Sequence, residues 1–108
     1  MMLEDLIAAL EAENPRKILP HGFHNPHSYR GYYYQLAFEP VDNVSVGSML
    51  EAAKSALGTT YTGYKGGDYT MDAHTDCWLS EEGHSGGETL GPLLVKLMLM
   101  VGTVPEEP

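Results

Sequence analysis

Histidine, arginine and tyrosine crowd into one short stretch, His21-Gly22-Phe23-His24-Asn25-Pro26-His27-Ser28-Tyr29-Arg30-Gly31-Tyr32-Tyr33-Tyr34, and these side chains have the chemistry to hold an anion beside a flat ring. The stretch contains three of the five histidines and four of the seven tyrosines. Arg30 offers a planar fork of donors matched to phosphate or carboxylate, and Ser28 and His27 add a hydroxyl and an imidazole. Tyrosine rings at 29, 32, 33 and 34 can stack on a base, a contact worth about 1–3 kcal/mol per base in nucleic-acid complexes. A second stretch, Tyr61-Thr62-Gly63-Tyr64-Lys65-Gly66-Gly67-Asp68-Tyr69, repeats the combination of one cation, flexible glycines and rings. Glycines let backbone amides approach an anion and lysine adds a point charge, although the strand, loop, helix order and trailing hydroxyl of a P-loop are missing. The two stretches are read as two walls of one ligand-binding site made of His27, Ser28, Arg30, Tyr32, Tyr33, Tyr64, Lys65, Gly66, Gly67 and Tyr69. The alternative is structural: Arg30 pairs with one of the fifteen acids, the tyrosines pack on helices, and Lys65-Gly66-Gly67 is an ordinary turn.

Other chemistries have weaker support. His21, His24 and His27 stand three apart, and Asp72, His74, Asp76 and His84 form a second group with ligands suited to zinc or manganese. A period of three matches neither a helix face nor a strand face, so no metal is assigned, and no cofactor either. Cys77 beside Trp78 lies in a β-prone run and reads as a buried side chain, not a nucleophile. No catalytic residue is placed by a motif. A small nucleotide hydrolase or lyase, with His27 as general base and Arg30 on a developing anion, is the least supported class.

The 108 residues suffice for one domain with a modest core. A net charge of −9, from 15 acids and 6 bases, opposes broad attraction to a nucleic-acid backbone or an anionic membrane, so neither bulk nucleic acid nor membrane is expected as a partner. It still allows one small anion, because Arg30 and Lys65 put two of the few cations in the two stretches above. A single cysteine excludes an intramolecular disulfide and fits a reducing, cytoplasmic setting. The start of the chain, acidic and amphipathic, does not read as a secretory leader. The longest apolar run, Leu90 to Val101, is shorter than the roughly 20 residues that span a bilayer.

These pieces are expected to be positioned by an α+β fold in a single small domain over residues 1–104, with a disordered tail at 105–108. Leu3, Leu6, Ile7 and Leu10 predict a helix over about 2–13. Asn43 or Ser45 can cap a second over about 45–57, with Val46, Met49, Leu50, Ala53 and Leu57 as its core stripe and Gly58 at its end. Pro92 starts a third over about 91–101, apolar nearly all round and therefore either central to the core or shared between copies in a homo-oligomer through residues 90–101. The helices are expected to pack on a mostly antiparallel sheet with strands at about 32–38, 59–64, 68–71 and 75–79. Residues 20–31 read as a loop because of Gly22, Asn25-Pro26 and Gly31, Glu39-Pro40 reads as a strand end, and 81–88 as a mobile loop. The turn at Lys65-Gly66-Gly67 is expected to need positive φ.

The runs Pro26-His27-Ser28-Tyr29-Arg30-Gly31-Tyr32, Leu36-Ala37-Phe38-Glu39-Pro40 and Thr62-Gly63-Tyr64-Lys65-Gly66-Gly67, the last followed by Tyr69-Thr70-Met71, resemble a group of small proteins of actinobacterial phages and their hosts. The resemblance covers most of residues 19–100; it implies such an origin and assigns no chemistry. With the residue chemistry, it leads to the expectation of a phage-type binding protein that captures a nucleotide-like ligand, a cyclic nucleotide or ADP-ribose-type immune signal, in counter-defence. The alternative is an acidic inhibitor of a host defence protein.

Overall fold

The computed structural model describes residues 1–28, 35–62, 67–80 and 87–105. In chain order these form α1 (Leu3–Glu11), β1 (Ile18–Ser28), β2 (Leu36–Ser45), α2 (Val46–Ala56), β3 (Thr60–Thr62), β4 (Asp68–Thr70), β5 (Cys77–Ser80), β6 (Gly87–Thr89) and α3 (Pro92–Met100). The fold is α+β, as expected, with three helices on mostly antiparallel sheet. One sheet has the order β1-β2-β5-β6, antiparallel except for the β2–β5 pair, and β3 and β4 form a separate antiparallel ribbon. No described helix is long and apolar enough to cross a membrane.

Local chemistry accounts for the helices. In α1 the apolar spacing turns Leu3, Leu6 and Leu10 fully inward. Its first turn has no side-chain cap; the Leu3 and Glu4 amides instead donate to the Thr75 and Ala73 carbonyls at 2.8 and 2.9 Å. Glu4 and Asp5 in that turn favour the positive end of the helix dipole. Ser45 caps α2 by accepting from the Ser48 amide at 3.1 Å. Gly58 follows the end of α2 at φ 81°, a backbone shape that glycine adopts without strain. Met49 and Ala53 of the expected stripe are buried, but Leu57 is 46% exposed, because the chain leaves the helix there. Pro92 opens α3 as expected, and that helix buries only Val95, Met98 and Leu99.

The largest correction concerns residues 20–31: the expected loop is, up to Ser28, the long strand β1, paired along its length with β2. A strand that lies at the sheet edge accommodates Pro20 and Pro26, since a missing amide on the unpaired side removes no ladder bond. The same logic overturns Glu39-Pro40 as a strand end. β5 pairs with β2 only over Leu36–Phe38, so β2 continues past Pro40 to Ser45 with β1 as its single neighbour. Asn25-Pro26 is absorbed as a bulge: His24 faces Glu39 while His27 faces Ala37, and Asn25 sits at φ 44°. Gly22 is needed where β1 crosses α2, since a Cβ there would lie 2.3 Å from Val44 Cγ1 and 2.9 Å from Met49 Sδ.

The remaining boundaries move less. The strand expected at 75–79 is Cys77–Ser80, because Thr75 belongs to a turn in which its hydroxyl accepts from the Asp72 amide at 2.9 Å. Residues 87 and 88 of the expected 81–88 loop pair with β5, together with Thr89, as β6; residues 81–86, like 32–34, 63–64 and 106–108 of other expected elements, lie outside the described residues. Phe23 and Phe38 meet at the core centre with ring centroids 4.4 Å apart, and Met49, Met71, Cys77 and Leu90 close around them in the same cluster.

Candidate ligand-binding site

The described parts of the two stretches expected to form one site lie on neighbouring elements, since β3 lies against β1. Ser28 and Leu36 are cross-strand partners, and so are Thr62 and Asp68. Tyr29, Arg30, Tyr32, Tyr33 and Tyr34 follow Ser28 in the chain, and Tyr64, Lys65 and Gly66 follow Thr62; all of these lie outside the described residues. The described members of the expected set are His27 and Ser28 at the end of β1, Gly67 just before β4 and Tyr69 in the middle of β4.

His27 is half-buried opposite Ala37, and both His27 and Tyr69 already have interaction partners. Tyr69 packs against the core and faces Tyr61 across the ribbon, and its hydroxyl folds over Gly67, 2.9 Å from where a Cβ would stand. Gly67 therefore serves close packing. Positive φ, expected for this turn, is not adopted at Gly67, and Lys65 and Gly66 lie outside the described residues; among the described glycines only Gly58 has it. Burial also raises the pKa of the Tyr61 phenol, because the half-buried ring is partly removed from water. Threonines line the ribbon on either side, Thr60 and Thr70 hydroxyls meeting at 2.7 Å and Thr62 donating to Asp68 at 3.1 Å.

The bulge in β1 decides how the three histidines stand. By register His24 and His27 share a face, opposite Glu39 and Ala37, while His21 is offset by an odd number of residues. His21 is exposed and its Nδ1 lies 3.2 Å from Asp42 Oδ1, and Asn25 donates to Glu39 at 3.2 Å. In the second group His74 lies 3.7 Å from Glu4 and Asp72 accepts from the His74 amide at 2.8 Å, with His84 outside the described residues. Among the described residues no three metal-capable side chains come together. The His21–Asp42 and His74–Glu4 pairs depended on strand register and on a turn meeting a helix start, which residue spacing does not carry.

Cys77 is fully buried. Burial pushes its thiol from 9.0 up to about 12; the nearby N-terminal ammonium works against the rise and Asp76 adds to it. The native thiol is therefore expected to resist alkylation at pH 8 and to react promptly in denaturant; fast native labelling would place it elsewhere. Between about 9 and about 12 the folded state holds a proton that the unfolded state releases, so stability falls as pH rises through that window. Denaturant midpoints measured at pH 8 and pH 10 check the sign.

Searches of protein-family models, of curated proteins and of solved structures found no match for the chain.

Proposed function

We propose that this protein captures a nucleotide-like ligand, of the cyclic nucleotide or ADP-ribose type, as a phage-type counter-defence protein. The observation that supports this reading is that β1, which leads along the chain into the Arg30 segment, lies beside β3, which leads into the Lys65 segment. In the proposed role Arg30, Lys65 and His27 hold phosphate, and Tyr32, Tyr33, Tyr64 or Tyr69 stacks on the base. Concentrating two of six cations there lets a chain of net charge −9 bind one small anion while repelling a polyanion.

The test is native mass spectrometry of the purified chain mixed with a panel of cyclic nucleotides and ADP-ribose derivatives. Gain of one whole, unmodified nucleotide mass is the expected result. Recovery of a cleaved nucleotide would make the protein a hydrolase or lyase, and an unchanged spectrum across the panel would overturn capture. A second reading, an acidic protein-binding inhibitor, is favoured by one observation. Glu4, Asp5, Asp72 and Asp76 are all exposed and gathered where the start of α1 meets the 72–76 turn, with Met2 bridged to Asp76 and the Glu4 amide bonded to Ala73. That reading predicts partner binding that weakens steeply with salt and is indifferent to Arg30.

A further inference from the structure

Six large apolar side chains are exposed among the described residues; Leu93 (70%), Leu97 (51%) and Met100 (65%) lie on α3, with Val101 (58%) at its C-cap and Val104 (44%) beyond it. Leu93, Leu97, Met100 and the capping Val101, spaced four, three and one, form a stripe opposite the helix face that buries Val95, Met98 and Leu99. We propose that a second copy of this chain covers this stripe, the two α3 helices packing antiparallel about a twofold axis at Leu97.

Three features select a second copy as the occupant. The first is symmetry within the stripe: Leu93 precedes Leu97 by four residues and Val101 follows it by four. A twofold axis at Leu97 therefore sets Leu97 on Leu97 and Leu93 of each copy on Val101 of the other, the self-complementary arrangement an isologous dimer needs. The second is charge. The chain carries −9, yet residues 89–105 contain no acid and one charged residue, Lys96, so two copies meeting along α3 bring none of that segment's own acids together. The third is area. Leu93, Leu97, Met100 and Val101 are each more than half exposed, and covering them in both copies approaches the roughly 1,000 Å² floor of a specific interface, the range of a weak, concentration-dependent dimer. Met100 also lines a neighbouring groove of about 450 Å³ between α1 and α3, where Ala9, Val95 and Leu99 are flanked by Glu13, Lys17 and Lys96.

Sedimentation of the full chain from micromolar to submillimolar concentration tests the proposal. The expected mass is twice the 11.8 kDa of one chain. Leu97→Asp should weaken association by at least about a hundredfold, because a carboxylate is then buried at the centre of the contact. Its circular dichroism should match the parent, since Leu97 lies outside the core. Leu97→Cys gives an independent readout. In a glutathione redox buffer it should form an intermolecular disulfide, as residues on a twofold axis face their own copies, whereas Leu57→Cys, at the sixth exposed apolar position and off the stripe, should not. Cys77 does not compete because it is fully buried. A monomer over the whole range, a dimer that survives Leu97→Asp, or equal cross-linking of the two cysteine variants would each overturn the proposal.

Discussion

Replacing Phe38 with alanine is expected to lower the melting temperature by at least roughly 10 °C. Phe38 and Phe23 are both fully buried, and their tilted rings, 4.4 Å apart, tie β1 to β2 under α2. Removing a buried phenylalanine costs about 3–5 kcal/mol, from lost transfer energy and the cavity left behind. A chain of this size has a total stability of roughly 5–15 kcal/mol, so one substitution consumes a large share of it. Ring pairing adds about 0.5–1.5 kcal/mol beyond burial, so Phe23→Ala and Phe38→Ala should cost less together than the sum of the two alone. Thermal unfolding of the two single variants and the double variant supplies the cycle, with Leu57→Ala as an exposed control expected to stay within about 0.5 kcal/mol of the parent. A loss of only a few degrees for Phe38→Ala would mean that the ring pair is not the centre of the core.

Arg30→Ala is expected to weaken capture of the nucleotide retained in the native spectrum by about a hundredfold or more, while the melting temperature stays within a few degrees. Each hydrogen bond from a guanidinium to phosphate contributes about 1.5–3 kcal/mol, and the planar fork makes two at once. Arg30→Lys preserves the charge and loses the fork, so its affinity should fall between parent and alanine variant. Calorimetric titration with that nucleotide, run beside thermal unfolding, separates the two roles Arg30 can have. Unfolding many degrees lower would assign it to the fold, and unchanged affinity at unchanged stability would remove it from the site.

Features that depend on a few neighbouring residues were legible in the sequence. The three helices follow from apolar spacing, with Ser45 as a cap, Gly58 as a terminator and Pro92 at a first turn, because each acts through groups within one turn of itself. The ribbon of β3 and β4 and the strand at Cys77 were legible for the same reason. Collecting Arg30, Lys65 and the tyrosines into one candidate set also needed only residue types and their grouping in the chain.

Tertiary structure decided whatever depends on a partner distant in the chain. Residues 20–28 carry the prolines, glycine and asparagine of a loop, yet β2 supplies a ladder on one side that those residues do not interrupt, so they form an edge strand. The bulge at Asn25-Pro26 then sets which histidines share a face, and strand register brings Asp42 to His21. α3, apolar nearly all round in sequence, is divided into a buried and an exposed face only by where it packs beside β1. Hydrophobicity measures how strongly a side chain avoids water, whereas burial depends on which other surfaces the fold brings within contact distance.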